Sequence, residues 1–321
     1  MRVAVIGLGV IGQVHIKVIQ ETNNELVAVC DTDENKRKNY DGIKQYSNYK
    51  VMLDEVMPDV VHICTPHYLH TEMIIEGLKR NINVLCEKPL CIKKEEIQSI
   101  LKAEATSKAQ LGVCFQNRYN PSTLFAKDYL KDKKVISAHA RLIWRRDKEY
   151  YEQDEWRGTK AQEGGSLLIN QAIHTIDMLQ YFFGMPKTVT AWCTNLSLHG
   201  VIDTEDTANL ICHGKVEYSL LATNAGLKDN PVEIIVKTDS ETVRIFSNGV
   251  YIDDRFYDCK NLNPVYGKQV YGSGHCELIR AFYDCIKSGK KFPIDAKEGA
   301  KAVRIVLTAY ESQGKEIPCV L

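Results

Sequence analysis

The sequence predicts an α/β protein in two parts: a parallel sheet with helices on both faces, then an α+β part built on an open, mostly antiparallel sheet. Three observations predict it. Short apolar runs alternate with helical patterns through the first third of the chain, the signature of a covered parallel sheet. Near Asn120-Pro121 the pattern changes to strands with few helices among them. At 321 residues the chain also exceeds what most single cores hold. The expected division is 1–120 and 121–321.

In the first part, Arg2 to Ile6 is a β-branched strand run, and Val10 to Gln20 has helical spacing. Leu26 to Cys30, Val60 to Thr65, Asn83 to Cys86 and Leu111 to Phe115 read as further strands. Tyr68 to Lys79 and Glu95 to Ala105 read as helices. In the second part, Ser122 to Leu130 is helix-like. The strands there are Ile136 to Trp144, Thr188 to Thr194, Ala208 to Cys212, Val216 to Ala222 and Glu233 to Lys237. Val243 to Phe246 and Val250 to Ile252 flank Asn248-Gly249, a hairpin signal. Gln171 to Phe183 is a helix between the first two of these strands. Two apolar stripes, Leu278-Ile279-Phe282-Cys285-Ile286 and Val303-Val306-Leu307-Tyr310, make the C-terminus helical.

Composition narrows the function. Hydrophobic residues are 44% and charged residues 26%, with a formal net charge of zero. No basic field for nucleic acid is present, so a small or neutral partner is expected. The N-terminal apolar run is short and broken by glycines. It has neither the length of a membrane span nor the layout of a signal peptide, so a cytoplasmic location is expected. The 11 cysteines are odd in number and form no C-x-x-C. Cys30, Cys64, Cys86 and Cys114 lie in strand runs, as reduced, buried thiols would. His62, Cys64, His67 and His70 are metal-ligand types, but they span a strand end and turn with another explanation below, and no metal is expected.

Gly7-Leu8-Gly9-Val10-Ile11-Gly12 is a G-x-G-x-x-G between a strand and a helix, with Asp31 about twenty residues on. Gly7 suits the tight turn, Gly9 the approach of a pyrophosphate and Gly12 close helix–strand packing. The N–H groups of Val10, Ile11 and Gly12 at the helix start face phosphates favourably. This is the Rossmann dinucleotide-binding pattern. A carboxylate at Asp31 accepts from ribose hydroxyls and repels a 2′-phosphate, so NAD is expected over NADP. Lys36 and Arg37 read as a solvated helix face.

Four further segments carry a resemblance. Cys64-Thr65-Pro66-His67-Tyr68-Leu69-His70 follows the third strand run, and Glu87-Lys88-Pro89 the fourth. Gln116-Asn117-Arg118-Tyr119-Asn120-Pro121 marks the junction, and Gly164 to Asp177 reads GGSLLINQAIHTID. Together they resemble the TP-x-x-x-H, EKP, N-x-R-x-x-P and GG-x-L-x-x-[DN]-x-x-x-H-x-x-D segments of the Gfo/Idh/MocA oxidoreductases, over essentially the whole chain. The resemblance implies an N-terminal Rossmann domain for NAD and a C-terminal domain for substrate and oligomerisation, with substrate held between them. It further implies a homodimer or homotetramer formed through the open sheet.

Oxidising an alcohol needs a base for the hydroxyl proton and a cation for the developing alkoxide. His174 is expected as the base and Lys88 as the cation or relay. The expected cofactor contacts are Gly7, Gly9, Val10, Ile11, Gly12, Asp31, Thr65, Pro66, His70, Glu87 and Lys88. The expected substrate contacts are Lys88, Arg118, Trp156, Arg157, Asn170 and His174. Trp156 offers a flat face to a sugar ring, and Arg157 and Arg118 offer forks of donors. Asn170 stands where many dehydrogenases of that family carry Asp. It donates and accepts hydrogen bonds but is no base, and an Asn-Gln pair is similar to members acting on nucleotide-linked or glycosidic sugars. Asp177 either orients His174 or satisfies buried backbone groups. Tyr150-Tyr151 forms part of a lid or covers a strand edge, Trp144 is a core candidate, and His275 is a helix-start residue.

The expected function is hydride transfer between NAD and a hydroxyl carbon of a sugar, polyol or glycoside. Two alternatives share the fold. A glycoside-cleaving enzyme using transient oxidation returns its NAD unchanged. A non-catalytic NAD sensor has no need of both Lys88 and His174.

Overall fold

A computed structural model describes residues 1–260, 265–266 and 272–321. Two compact units result: Met1–Gln116 with Pro264–Gly299, and Asn117–Asn263 with Ala300–Leu321. The first break falls four residues before the expected 120, and a C-terminal segment returns to the first unit. That segment carries α9 (Gly274–Ser288), whose Leu278, Ile279 and Phe282 are fully buried and which packs on α1 (Val10–Gln20). An amphipathic stripe shows that a helix packs on something, but not on which sheet.

The first unit is a six-stranded parallel sheet ordered β3-β2-β1-β4-β5-β6. Its strands are β1 (Arg2–Ile6), β2 (Glu25–Cys30), β3 (Lys44–Tyr46), β4 (Val60–Ile63), β5 (Asn83–Cys86) and β6 (Leu111–Val113). This is the doubly-wound order, whose switch point lies between β1 and β4. Strand ends share one register: Ile6 pairs with Cys30 and Ile63, and Cys86 pairs with Ile63 and Val113. Gly7, Asp31, Cys64 and Glu87 therefore follow as one row at the carboxyl edge, and their N–H groups extend the ladder to Cys30, Tyr46, Ile6 and Ile63 carbonyls. β1 and β4 are buried on both faces apart from Arg2, which explains their unbroken apolar runs. The segment from 31 to 59 holds α2 (Glu34–Arg37), β3 and α3 (Tyr49–Val56), which the apolar pattern did not reveal. β3 has no buried residue and α2 none either.

α4 (His70–Lys79) and α5 (Lys94–Thr106) cover this sheet, and a 3₁₀ turn at His67–Leu69 precedes α4. The second unit opens with α6 (Pro121–Leu130), with Pro121 in the first turn, where proline is tolerated. Its sheet runs β14-β13-β12-β11-β7-β10-β9-β8-β15. The central strands are β7 (Val135–Ile143), β8 (Thr188–Thr194), β9 (Thr207–His213), β10 (Glu217–Thr223) and β11 (Glu233–Thr238). β12 (Thr242–Phe246), β13 (Gly249–Ile252) and β14 (Arg255–Asp258) form one edge, and β15 (Ile317–Pro318) the other. All described pairings are antiparallel except β7 with β10. Phe246 pairs with Gly249, so the hairpin turns on Ser247-Asn248 and Gly249 opens the next strand.

Alternation sorts the faces. Ala138, Ala140, Leu142, Leu210, Leu220 and Ala222 are buried, and α8 (Ile173–Phe183) packs on β7. On the other face His139, Arg141, Leu221 and Trp192 are exposed. That face is mixed, because charged and apolar residues alternate across it, rather than uniformly apolar. α8 starts two residues later than expected. The preceding Leu167–Gln171 forms a wide π turn in which Ala172 N donates to Leu167 O. Wide turns of this kind recur at functional sites. α7 (Lys148–Tyr151) and α10 (Ala296–Ser312) complete the helices named here.

Candidate active site

In the first unit the glycine loop has the shape its sequence requires. Gly7 has φ +90, and a Cβ there would lie 2.4 Å from Cys64 O. A Cβ on Gly12 would lie 2.0 Å from Gly7 O, so helix and turn touch backbone to backbone. Gly9 is different: among the described residues, no atom beyond its chain neighbours lies within 4 Å of its would-be Cβ. It is also the N-cap of α1, without a side-chain cap, and Val10 beside it is strongly exposed. Room and a helix N-terminus with its N–H groups at one place fit a pyrophosphate. Asp31 holds the loop from the next strand: Oδ2 accepts from Leu8 N at 2.7 Å and Oδ1 from Asp33 N at 2.9 Å. Lys36 lies on a solvated face of α2, and Arg37 beside it is half-buried, its guanidinium donating to Asp31 O and Thr32 O.

Glu87 and His70, expected at the cofactor, turn their side chains inward. His70 is buried, with Nδ1 2.7 Å from Pro89 O and Nε2 2.9 Å from Thr65 O. It clips the Thr65-Pro66 turn to the Glu87-Lys88-Pro89 turn. Burial pushes its pKa down. Thr65 and Pro66 stay half-buried at the sheet edge, as does Lys88. This inward turn leaves no mark in the sequence, because periodicity does not say which way a side chain points past a strand end.

Glu87 ends a buried chain of four groups that sequence reading missed. Tyr283 donates to His62 Nε2 at 2.9 Å, the His15 and His62 Nδ1 atoms lie 2.8 Å apart, and His15 Nε2 is 3.0 Å from Glu87 Oε1. One proton placement satisfies every link: Tyr O–H, His62 Nδ1–H, His15 Nε2–H, then a carboxylate. Both rings are then neutral. Burial lowers the pKa of His15 and, with His15 beside it, lowers that of His62 further. Burial alone would raise the Glu87 carboxyl, but the hydrogen bond from His15 and the nearby His275 imidazole hold it well below the usual range. His275 Nε2 is 3.5 Å from Glu87 Oε1. Among the described residues, the metal-ligand types whose ligand atoms converge are His15, Glu87 and His275, not the 62–70 group. The available signal was His15 on the buried face of α1.

In the second unit, Gly165 to Gln180 is a run of buried residues with two exceptions, Asn170 and His174. Asn170 closes the π turn and His174 lies in the first turn of α8. Asn170 Nδ2 donates to Glu163 Oε1 at 2.5 Å, and Gly158 N donates to Glu163 Oε2. Glu163 was not singled out by sequence. It is fully buried, and burial pushes its carboxyl up to about 7 against the hydrogen bonds that it accepts. Glu205 accepts from Leu168 N and Tyr310 Oη, both at 2.8 Å, and so fixes the start of the turn.

A polar string borders Asn170. Arg157 Nη1 donates to Tyr150 Oη, as does Gln171 Nε2; Asn224 Nδ2 donates to Gln171 Oε1 and to Tyr151 Oη, which bonds Ser166 Oγ. Tyr150 and Tyr151 are thus fixtures of the turn, not a lid. Arg157 also stacks on Trp156 at 4.8 Å and Tyr150 at 4.9 Å, with Trp156 half-buried. Trp144 is buried and donates to Asn230 O.

Arg118 does not offer its fork to a sugar. Nε and Nη2 close on Asp177 Oδ2 and Oδ1 at 2.7 and 2.6 Å, both residues are buried, and the guanidinium stacks on Tyr181 at 4.6 Å. A bidentate pair of this kind satisfies both charges internally. It also gives Asp177 a role that neither sequence reading named, with Gln180 Nε2 as a further donor.

A doubly-wound sheet with a glycine cradle and a carboxylate just after its second strand defines an NAD-binding Rossmann domain. The comparisons agree. The family model for the oxidoreductase family with an NAD-binding Rossmann fold matches residues 1–115, and that for the GFO/IDH/MocA C-terminal domain matches residues 134–235. The chain belongs to the Gfo/Idh/MocA family. It is 27% identical over 327 residues to an oxidoreductase, YrbE, of Bacillus subtilis (98% of this chain, 94% of the relative). It is 24% identical to myo-inositol 2-dehydrogenase of Thermotoga maritima (97% and 96%). Among solved structures, WlbA dehydrogenase of Bordetella pertussis, in complex with NADH and UDP-GlcNAcA, superposes with a TM-score of 0.90 at 25% identity (100% and 98%). Among the described residues, no helix is long and apolar enough to cross a membrane.

Proposed function

We propose that this protein oxidises a secondary hydroxyl of a sugar, polyol or glycoside, with Lys88 and His174 handling the proton. One observation carries the reading. Within a buried run of sixteen residues the two that stay accessible are an amide and an imidazole four positions apart, which is hydrogen-bonding equipment for a polyhydroxylated ligand. Bound NAD supplies the hydride acceptor. Gly7, Gly9, Val10, Ile11 and Gly12 hold its pyrophosphate and Asp31 its ribose hydroxyls, with Thr65 and Pro66 lining the same sheet edge. His174 takes the hydroxyl proton on a ring nitrogen as the carbonyl forms. The Lys88 ammonium stabilises the negative charge that develops on the oxygen as that proton leaves. Asn170 bonds a neighbouring hydroxyl, and Trp156 with Arg157 covers the ring. The exposed sheet face around Leu221 and Trp192 meets a second copy of the chain in a homo-oligomer. None of the eleven cysteines is disulfide-bonded, which supports a reducing, cytoplasmic setting.

The test is a panel of inositols, aldoses, methyl glycosides and a UDP-linked uronate with NAD, followed by NADH absorbance. With an oxidised substrate in hand, Lys88→Met and His174→Ala are each expected to slow single-turnover hydride transfer by about 10²–10⁴, with NAD affinity little changed. Their effects are expected to be non-additive. Near-normal transfer in both variants overturns the assignment. Cleavage of a glycoside without net NADH replaces it with the transient-oxidation reading.

A further inference from the structure

Glu163 has no place in that scheme, yet its buried carboxylate accepts a hydrogen bond from the Asn170 side chain. We propose that Glu163 is a positioning residue: it fixes the Asn170 side-chain amide with its carbonyl oxygen on the accessible side, so that Asn170 receives a substrate hydroxyl as an acceptor. This rests on reading Asn170 and His174 as the substrate-binding pair.

The argument is one of donors and acceptors. A side-chain amide has two ends, a C=O that accepts and an NH₂ that donates. Left alone, it rotates to suit its surroundings. Here Asn170 Nδ2 points to Glu163 Oε1, and the other carboxylate oxygen is occupied by Gly158 N. An ionised carboxylate only accepts, so it commits the NH₂ end inward. Oδ1 is then the end turned away from Glu163. Position 170 behaves toward substrate as a carboxylate would, but without charge.

The same geometry makes the arrangement depend on the proton of Glu163. When protonated, Glu163 still accepts from Gly158 N on one oxygen but donates from the other. Asn170 must then turn its Oδ1 inward and present NH₂ outward. The ionisable groups facing Glu163 include Arg157, which favours its charged form, Glu205, which disfavours it, and the hydroxyls of Tyr151 and Tyr310. With the carboxyl at about 7, the exchange falls in the working range of pH.

Three proteins test this: Glu163→Gln, Asn170→Asp, and the swap Glu163→Gln/Asn170→Asp. The Glu163→Gln change keeps an acceptor for Gly158 N, but its new NH₂ forces Asn170 outward-donating. The swap restores an outward acceptor, because the new amide at position 163 donates to one oxygen of the new carboxylate at position 170 and leaves the other oxygen outward. The substrate-independent readout is ¹⁵N NMR of asparagine-labelled protein, with the Asn170 side-chain amide assigned by its loss in Asn170→Asp. In the unmodified protein its signals are expected to move in one step centred near pH 7, and Glu163→Gln is expected to abolish that step. No step in the unmodified protein, or an unchanged step in Glu163→Gln, overturns the proposal whatever the panel of substrates shows.

With the panel compound that is oxidised fastest, Glu163→Gln is expected to raise KM about tenfold above pH 7, the order of one hydrogen bond, with kcat changed less. The swap is expected to recover KM to within about threefold, which a merely structural role for Glu163 does not foresee. A folded swap protein whose KM stays as high as that of Glu163→Gln overturns the proposal. If Glu163→Gln does not fold, the swap protein and the titration of the unmodified protein decide in the same way. If no panel compound is oxidised, the functional reading fails on that result, and the titration alone judges Glu163.

Discussion

Tyr283→Phe removes one oxygen from the buried chain Tyr283–His62–His15–Glu87 and leaves the ring to fill its space. Tyr283 is 2% exposed and His62 0%, so no bulk water replaces the lost donor. His62 Nε2 then becomes a buried acceptor without a hydrogen. Shifting the tautomer does not help. If His62 carried its proton on Nε2, its Nδ1 would become an acceptor and His15 Nδ1 would have to donate. His15 Nε2 would then face the Glu87 carboxylate lone pair to lone pair, at 3.0 Å. The expected cost is that of one unsatisfied buried polar group, about 1–3 kcal/mol. For a unit of this size that is a fall in Tm of roughly 3–10 °C. Urea unfolding at neutral pH, read by tryptophan fluorescence and circular dichroism, measures it. An unchanged midpoint with an unchanged slope refutes the reasoning. Acid acts on the same chain, and the sign is fixed. His15, His62 and Glu87 all have folded pKa values below their ordinary ones. The contribution of the two histidines is complete above their ordinary value of 6.5 and is lost as pH falls below it, whereas that of Glu87 is lost only below its ordinary 4.5. The urea midpoint of the unmodified protein is therefore expected to fall from pH 7 to pH 5 more steeply than that of a His15→Gln, His62→Gln variant. Parallel slopes would show that the acid sensitivity lies elsewhere.

Asp31→Ala is expected to weaken NAD about tenfold or more and to narrow its preference over NADP. The carboxylate holds Leu8 N and Asp33 N, and in the proposed binding mode it also accepts from the ribose hydroxyls. Fluorescence titration of both cofactors checks it, and tighter NADP binding by the unmodified protein would sink the assignment. Leu221 and Trp192 flank Asn209 on the exposed sheet face, at 48% and 49% exposure. Leu221→Asp is expected to shift the species seen by light scattering from an oligomer toward the monomer mass. A monomer before mutation rejects that surface.

The parallel sheet was legible because strands buried on both faces write themselves as apolar runs, as Val3 to Ile6 and Val60 to Ile63 do. β3 was not, since Lys44-Gln45-Tyr46 is an edge strand with nothing buried to mark it. The glycine loop was legible down to single residues, because each glycine answers a steric demand local to the turn. The home of α9 was not. Its partners lie more than a hundred residues away in sequence, and an apolar stripe is the same whichever unit it covers. Arg118 shows the limit for site residues. An arginine near a junction offers the same donors to a sugar or to an aspartate. Only the fold brings Asp177 to 2.6 Å. His15 and His62 were hidden for the converse reason: a histidine in an apolar run reads as a packing residue until its partners from α9 and β5 are seen.

Buried acids do a common task around the candidate site. Glu163, Glu205 and Asp206 each accept backbone N–H groups from segments outside the α-helices and strands: Gly158, Leu168 in the π turn, and the run Leu196, Ser197 and Leu198. Irregular backbone that is buried has donors no ladder satisfies. A carboxylate takes several of them at one point, at the cost of burying its charge. The segment around the π turn is therefore held in place by acids behind it, as a preorganised site requires. This also gives a physical reason for Asn at 170. With Glu163 one hydrogen bond away, a carboxylate at 170 would bring two carboxylates within 2.5 Å, and they could persist only by sharing a proton. With the charge kept at 163 and an amide at 170, the fixed donor points inward, the acceptor points out, and no second charge has to be buried.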